Sequence, residues 1–408
     1  MNPPPRAADE LPLAGYTVLD LTRVLAGPYC TRVLADMGAR VIKVERPVEG
    51  DDMRRNYMQL EPGRTDQSTY FTRVNAGKES VAIDMAKPEG RAVVHDLVRR
   101  ADVFVENFMP GVAAKLGCDE GMLRALKPDL VYCSISGFGQ TGPWRARPAF
   151  AHIINAASGL MHLEQGEEPA PRASNLQAAD VLAGTHAVGA IVGALLRRSR
   201  TGKGAHLDVS MLEALISADS VTYAAVLNGG EEAGNPRPGM VVAPIGDRSL
   251  AMQFVGSGEL WPRLLALMGR PELGQDPRFD TADRRRANWR VLREIVVSWL
   301  QAAFPTVDLA LAALAQARIP CAPVLRPADL VAEPHLAARG FFPSVPHPAR
   351  GTVRITSTPY HLDHRPLGPR GPAAYRVGEH TRDVLSRDLG YSTERIEALQ
   401  QSRIVDIP

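Results

Sequence analysis

The sequence predicts an α/β fold built on a parallel sheet. Strand, helix and strand patterns follow one another between Val18 and Val44, the spacing of a βαβ unit. The same alternation repeats up to Ile135. Composition agrees: 408 residues, 45% hydrophobic and 23% charged, suffice for a large buried core in two or three domains.

Residues 1–12 are polar and proline-rich and read as a frayed tail. Val18–Leu21 is the first apolar run. Ala26-Gly27-Pro28 breaks it, and Tyr29, Val33, Leu34 and Met37 then fall at helical spacing up to a stop at Gly38. Val41–Val44 is the second strand. Ser80–Ile83 is the third, followed by a helix with Pro88 in its first turn and Val93, Val94, Leu97 and Val98 on its buried face. Val103–Val105 and Leu130–Ile135 are further strands, with Gly111–Leu126 helical between them. Gly137–Pro143 is a loop, because its glycines and proline suit no helix. Val181–Arg200 is a strongly apolar helix whose cations at Arg197, Arg198 and Arg200 suit a C-terminus, and His206–Ser210 is extended.

After a polar link at Gly229–Gly239, a smaller α/β unit spans about 240–320, with Leu250–Val255 a strand and Glu259–Met268 and Asn288–Phe304 helices. Ile319–Val324 is too proline-rich for an interior strand. Thr352–Thr358 is extended, and Glu379–Leu389 and Ser392–Gln401 read as closing helices.

The formal net charge of +2 leaves no broad polyanion surface, and 6% aromatics give no base-stacking platform, so no nucleic-acid partner is expected. Cys30, Cys118, Cys133 and Cys321 form no CxxC and stand at no zinc spacing. No metal is expected, and reduced thiols fit a cytoplasmic protein. No signal peptide is read, and the uncharged apolar stretch Val181–Leu196 is shorter than a membrane span, so no membrane is expected. The first strand–helix turn lacks GxGxxG, and there is no P-loop, GxSxG or HExxH. Residue patterns alone stop at an α/β protein of unassigned chemistry.

Several strings, taken in order, say more. They are Leu19–Pro28 (LDLTRVLAGP), Gly38–Pro47 (GARVIKVERP) with Gly50–Arg54 (GDDMR), Val105–Gly111 (VENFMPG), Ser134–Pro143 (SISGFGQTGP), Ala179-Asp180 with Gly184, Arg200–Gly204 (RTGKG) and Gly378–Thr381 (GEHT). The ordered set resembles the class III CoA-transferases, which include formyl-CoA:oxalate, carnitine and succinyl-CoA:dicarboxylate CoA-transferases. The resemblance implies a doubly wound, Rossmann-like large domain built from both chain ends, 1–228 and 326–408, with a smaller α/β domain inserted at 229–325. It implies an interlocked homodimer, or a pairing with a closely related paralogue subunit. The implied substrates are acyl-CoA and small carboxylates, with coenzyme A thioesters passing through and no permanently bound cofactor.

Local sequence reads Asp180, directly ahead of a long helix, as an N-cap. The resemblance makes it the nucleophile that exchanges acyl groups and CoA through a mixed anhydride and an aspartyl-CoA thioester. A helix N-terminus suits either role. Gly137, Gly139 and Gln140 are local candidates for oxyanion donors, the alternative being a tight turn with no ligand. By resemblance Arg46 meets the ADP moiety, Asn107, Phe108 and Lys115 border the nucleotide, and Lys78, in the family's Asn-x-x-Lys string, is a further CoA-binding cation. Val24, Leu25 and Ala26 wall the pantetheine and acyl group. The plain alternatives are solvated cations and core filling.

Arg23 and His152 are acceptor-side candidates, with Arg32 and Arg73 as further cations for a second carboxylate. The family often has Tyr-Asp where this chain has Phe150-Ala151. The glycine-rich loop of oxalate-using members is reduced to Gly256-Ser257-Gly258-Glu259. A dicarboxylate other than oxalate is therefore expected. Two other readings stay open. The α-methylacyl-CoA racemases share the fold and the Asp; Glu259 falls in a plausible place for them, but His152 stands two positions from their His. A non-catalytic CoA-binding paralogue would keep Arg46 without needing an ionised Asp180.

Overall fold

The computed structural model describes residues 10–165, 168–230, 239–254 and 258–408. The first nine residues of the expected tail, residues 231–238 of the polar link, and Val255, Gly256 and Ser257 lie outside the described residues. Leu11 and Pro12 are not part of a tail: Leu11 accepts the Ala14 N–H, and the adjoining Leu13 is buried with its N–H bonded to Met37.

The first half of the chain alternates as the spacing predicts. Its elements are β1 (Thr17–Asp20), α1 (Ala26–Asp36), β2 (Arg40–Glu45), α2 (Thr69–Asn75), β3 (Lys78–Ile83), α3 (Pro88–Val98), β4 (Val103–Glu106), α4 (Val112–Lys115), α5 (Glu120–Leu126), β5 (Val131–Ser136), α6 (Ala151–Ala157), α7 (Leu160–Leu163), α8 (Ala178–Thr201) and β6 (Ala205–Ser210). Six strands run parallel in the order β3-β2-β1-β4-β5-β6. Val405–Asp406 adds an antiparallel edge beside β3. The order reverses between β1 and β4, and sheets of this kind bind ligands in the crevice outside the carboxyl ends of the strands there.

Alternate residues of each strand face opposite sides. Val18, Val103, Val105, Cys133 and Ile135 pack with α1 and α8. Leu19, Ile42, Val81, Phe104 and Tyr132 pack with α3 and the late helix Thr381–Leu389. By length and composition α8 could cross a membrane, but Ala183, Ala187, Ile191 and Leu195 are buried in the core. All four cysteines are free, three of them buried.

Some boundaries differ from the sequence reading. Ala26-Gly27-Pro28 is not a break but the first turn of α1, where the missing N–H of Pro28 leaves no hydrogen bond unmade. Gly111–Leu126 is two short helices, α4 and α5, separated around Gly117. Asp180 is not an N-cap: α8 starts at Ala178 with Gln177 as its cap, so Asp180 is the third residue of the first turn.

The chain forms two compact units. One takes the chain up to Met161, Ala173–Asp219 and Pro334–Pro408; the other takes His162–Arg172 and Ser220–Glu333. The second has an antiparallel sheet of β7 (Met240–Ile245), β8 (Arg248–Gln253) and β9 (Cys321–Pro323), with β9 on the edge where its prolines are tolerated. Leu260–Met268, Trp289–Ala303 and Val307–Gln316 share its core.

Candidate active site

One glycine sets the spacing where α8 meets the start of α1, and another seats α1 on the loop before it. A Cβ on Gly184 would lie 2.6 Å from the Ala26 carbonyl oxygen, and one on Gly27 would lie 2.3 Å from the Thr22 side chain. Asp180, one turn before Gly184, is thereby brought to the backbone N–H of Ala26, the first residue of α1, which acts on its carboxylate as a hydrogen-bond donor. Leu25, the N-cap of α1, has no side-chain acceptor. Asp180 supplies what a capping side chain would.

Asp180 thus stands in the first turn of α8 with its carboxylate at the N-terminus of α1. Burial still dominates and pushes its pKa from 3.8 up to about 6, against the pull of the Ala26 N–H and the charge of His152. Such a group is ionised at neutral pH yet poorly solvated, which suits a nucleophile.

The loop from β1 to α1 is tightly tied. Val24 has φ +71°, a strained conformation for a β-branched residue. On one side of it, Asn107 accepts the Arg23 N–H at 2.8 Å and donates to the Arg23 carbonyl at 2.7 Å. On the other, Asp51 accepts the Val24 N–H at 3.3 Å. Beneath the loop, the buried Asp20 accepts from the Thr22 N–H at 2.8 Å, the Thr31 hydroxyl at 2.6 Å and the Lys78 ammonium at 3.0 Å. Leu25 and Ala26 are both buried.

A cavity of about 450 Å³ opens outside the ends of β1, β2 and β3. Arg23, Arg46, Pro47, Met85, Phe108 and Leu116 are among its lining. Arg46 bonds Asp52 at 2.9 Å and Glu49 at 3.1 Å, and Arg23 also bonds Asp52. Arg46 and Phe108, expected at the nucleotide, thus share one cavity wall. Lys115 is exposed on α4, next to Leu116.

Several expected roles need correction. Lys78, expected to bind CoA, is buried, and its ammonium is taken by Asp20, Pro28, Thr31 and Asn75 at 2.7–3.0 Å. Asn107 spends its amide on the Arg23 backbone and acts by positioning that loop. Arg23, expected on the acceptor side, lines the cavity with Arg46. The Gln140 N–H donates to Asp208 at 2.9 Å and is not available to an oxyanion. Gly137 packs against Ala149 and Gly139 lies beside Asp208, so the glycine loop is folded onto β6. Arg32 is buried and closed by Asp36 at 2.7 Å.

His152 is exposed on α6; Nδ1 lies 3.1 Å from the Ser174 carbonyl, and its charge reaches Asp180. Glu259 is paired with Arg263. Sequence reading missed Tyr70 on α2, whose buried hydroxyl lies beside Gln177 and in the field of Asp180, which with burial raises its pKa. The only signal for it is a tyrosine five residues ahead of Asn75-Ala76-Gly77-Lys78. Among the described residues no group of three or more His, Cys, Asp or Glu stands where it could hold a metal ion.

Comparison with known proteins identifies the family. The model of CoA-transferase family III matches residues 13–381. The succinate–glutarate CoA-transferase of Agrobacterium fabrum is 34% identical over 388 residues, 92% of this chain and 95% of that one. The formyl-CoA:oxalate CoA-transferase of Streptomyces coelicolor is 31% identical over 418 residues, 96% and 99% of the two chains. The crystal structure of a CAIB/BAIF family protein from Brucella suis matches with a TM-score of 0.77 at 33% identity, covering 93% of this chain and 99% of that one. With a parallel-sheet fold, a desolvated aspartate at the N-terminus of α1 and relatives of this kind over nearly its whole length, the chain belongs to CoA-transferase family III and is an enzyme of that family.

Proposed function

We propose that the enzyme moves CoA from a succinyl-CoA-like donor to a dicarboxylic acid through covalent intermediates on Asp180. The observation that carries this reading is the Asp180 carboxylate, desolvated, ionised at neutral pH and aimed at by the Ala26 N–H. One Asp180 oxygen attacks the donor carbonyl carbon, the C–S bond breaks, and CoA leaves as thiolate while a mixed anhydride forms. The thiolate attacks the aspartyl carbonyl carbon and expels the donor carboxylate, leaving an aspartyl-CoA thioester. The acceptor carboxylate attacks that thioester, giving a second anhydride and thiolate. The thiolate then attacks the acceptor's acyl carbon, acyl-CoA leaves, and Asp180 is regenerated. The Ala26 N–H is the preorganised donor for oxyanions that develop at the aspartyl carbon.

Arg46 and Arg23 would meet the phosphates of CoA and Phe108 its adenine, within the cavity they line. Arg73, half-buried on α2 with its charge felt by Tyr70 and Tyr29, is the best-placed cation for the distal carboxylate of the acceptor. The names of relatives that use succinyl-CoA, glutarate and D-citramalate support a dicarboxylate acceptor. The domain limits, the interlocked dimer and the cytoplasmic location implied by the resemblance belong to the same reading.

The test is to incubate the enzyme with succinyl-CoA, trap with hydroxylamine or borohydride, and analyse peptides by mass spectrometry. A mass change on the peptide containing Asp180 is expected. An unmodified Asp180 during active turnover would remove it from the covalent role. Exchange of the alpha-proton in deuterated water without acyl transfer would point instead to the racemase, a reading that the effect of His152 on Asp180 would serve.

A further inference from the structure

We infer that Asp52 is a built-in competitor for phosphate: its carboxylate holds Arg23 and Arg46 together at the cavity wall and must release them for an anionic ligand to bind. This rests on reading the cavity as the site for the nucleotide end of CoA.

The lining carries three cations, Arg23, Lys43 and Arg46, and four acids, Glu45, Glu49, Asp51 and Asp84. That balance does not favour a polyanion. Lys43 cannot help, because it is buried, paired with Asp51 at 3.1 Å and bonded to the Thr22 carbonyl at 2.7 Å. Glu45 is likewise closed by the buried Arg54 at 2.7 Å. Arg23 and Arg46 alone of the three keep solvent-exposed guanidinium-bearing side chains, 35% and 49%.

Asp52 takes both. Arg46 Nη2 donates to Oδ1 at 2.9 Å, and Arg23 Nη2 donates to Oδ2. One anionic group thus bridges two guanidinium groups through separate oxygens, as a phosphate would. Asp52 itself is free to let go. Its side chain is 42% exposed and bonds nothing else described. The turn it starts is held by other groups: Asp51 accepts the Met53 N–H at 3.0 Å, and Arg54 is anchored on Glu45. Rotation of this exposed carboxylate therefore frees Arg23 and leaves Arg46 held only by the exposed Glu49 at 3.1 Å, without unfolding the turn. Exposed ion pairs of this kind are weak enough for a phosphate to displace.

The test is calorimetric titration of CoA into the wild type, Asp52→Asn and Arg46→Gln at several salt concentrations. Asp52→Asn should bind CoA about three- to tenfold more tightly, with a steeper loss of affinity as salt rises. Arg46→Gln should bind more weakly. Unchanged or weaker binding by Asp52→Asn, with Arg46→Gln weakened, would overturn the competition but leave the cavity as the nucleotide site. If neither substitution alters CoA binding, the reading of the cavity falls and the inference with it. Asp52→Ala provides a second neutral variant and should shift affinity in the same direction as Asp52→Asn; an opposite shift would also overturn the inference.

Discussion

Asn107 grips the backbone of Arg23 with both ends of its amide, accepting the N–H at 2.8 Å and donating to the carbonyl at 2.7 Å. Asn107 follows β4 and Arg23 follows β1, so this pair ties the two strands where the sheet order reverses. Three residues further on, the Ala26 N–H meets Asp180. A side chain outside direct reach of the reaction thus sets the position of a donor inside it. Asn107→Ala should lower stability by about 1 kcal/mol, the cost of leaving half-buried backbone partners unbonded. It should also lower kcat roughly tenfold or more, with a smaller change in KM for acyl-CoA. Urea unfolding and steady-state kinetics check this; a variant that loses stability but keeps kcat would show that the tie serves the fold alone.

Asp180→Asn should abolish transfer, by roughly a thousandfold or more, and at the same time stabilise the protein at neutral pH. The sign follows from the pKa of about 6 in the fold against 3.8 unfolded. Between those values the native chain holds the extra proton, so stability falls as pH rises from about 4 to 6. Above pH 6 the full cost is present, of the order of 2 kcal/mol after allowance for partial exposure. Asparagine carries no such cost. Denaturant midpoints should therefore separate the two proteins at pH 7.5 and converge near pH 4. In the wild type, kcat/KM for the donor should rise with pH through about 6 and then level. A variant less stable than wild type at pH 7.5 would contradict this assignment of the cost.

The elements around this site are legible in the sequence wherever apolar residues cluster in a short run with turn residues within a few positions of it. β1, β2, β4 and β5 stand within a residue or two of their predicted places for that reason. Asp180 is legible only through the ordered strings, and its capping role is misread because Gln177 gives no cap signal for the true start of α8. Lys78 is misread for a deeper reason. Its burial depends on Asp20, Thr31 and Asn75, three groups from separate segments that no local window shows together. The strand β7 escapes notice because its burial alternates and one face carries exposed Met240 and Val242. The close contact of α1 with α8, which makes the site, is a packing fact recorded in the sequence only as Gly184.

Lys78→Ala should act on folding. Its loss leaves the Asp20 carboxylate buried without its nearest cation, a change that costs about 3–5 kcal/mol in comparable sites. Burial resists ionisation of Asp20, but Lys78 and Lys43 overrule it and hold its pKa near 2, below the unfolded 3.8. The stability from this depressed carboxylate is present above about pH 4 and lost as pH falls through 2. The difference between wild type and Lys78→Ala should thus be large at pH 7 and shrink toward pH 2. Urea titrations at the two pH values measure it. A loss at pH 7 below about 1 kcal/mol would mean the pair contributes little.

Gly184→Ala and Gly189→Ala, on the same helix, should behave in opposite ways. A Cβ on Gly184 would lie 2.6 Å from the Ala26 carbonyl oxygen and 3.0 Å from the Tyr29 ring, and backbone cannot yield as a side chain can. The substitution must push α8 off α1, which costs about 1–3 kcal/mol and carries Asp180 away from the Ala26 N–H. A Cβ on Gly189 meets nothing within 4 Å, so alanine there should stabilise by about 0.5–1 kcal/mol through helix propensity alone. Gly184→Ala should also lower kcat more than it raises KM, because the groups it separates are those that react. Comparing urea stability and kcat for the two variants isolates the close contact from the general effect of adding a methyl group to α8. If Gly184→Ala keeps the wild-type kcat, the spacing between the two helices is not what aligns the nucleophile.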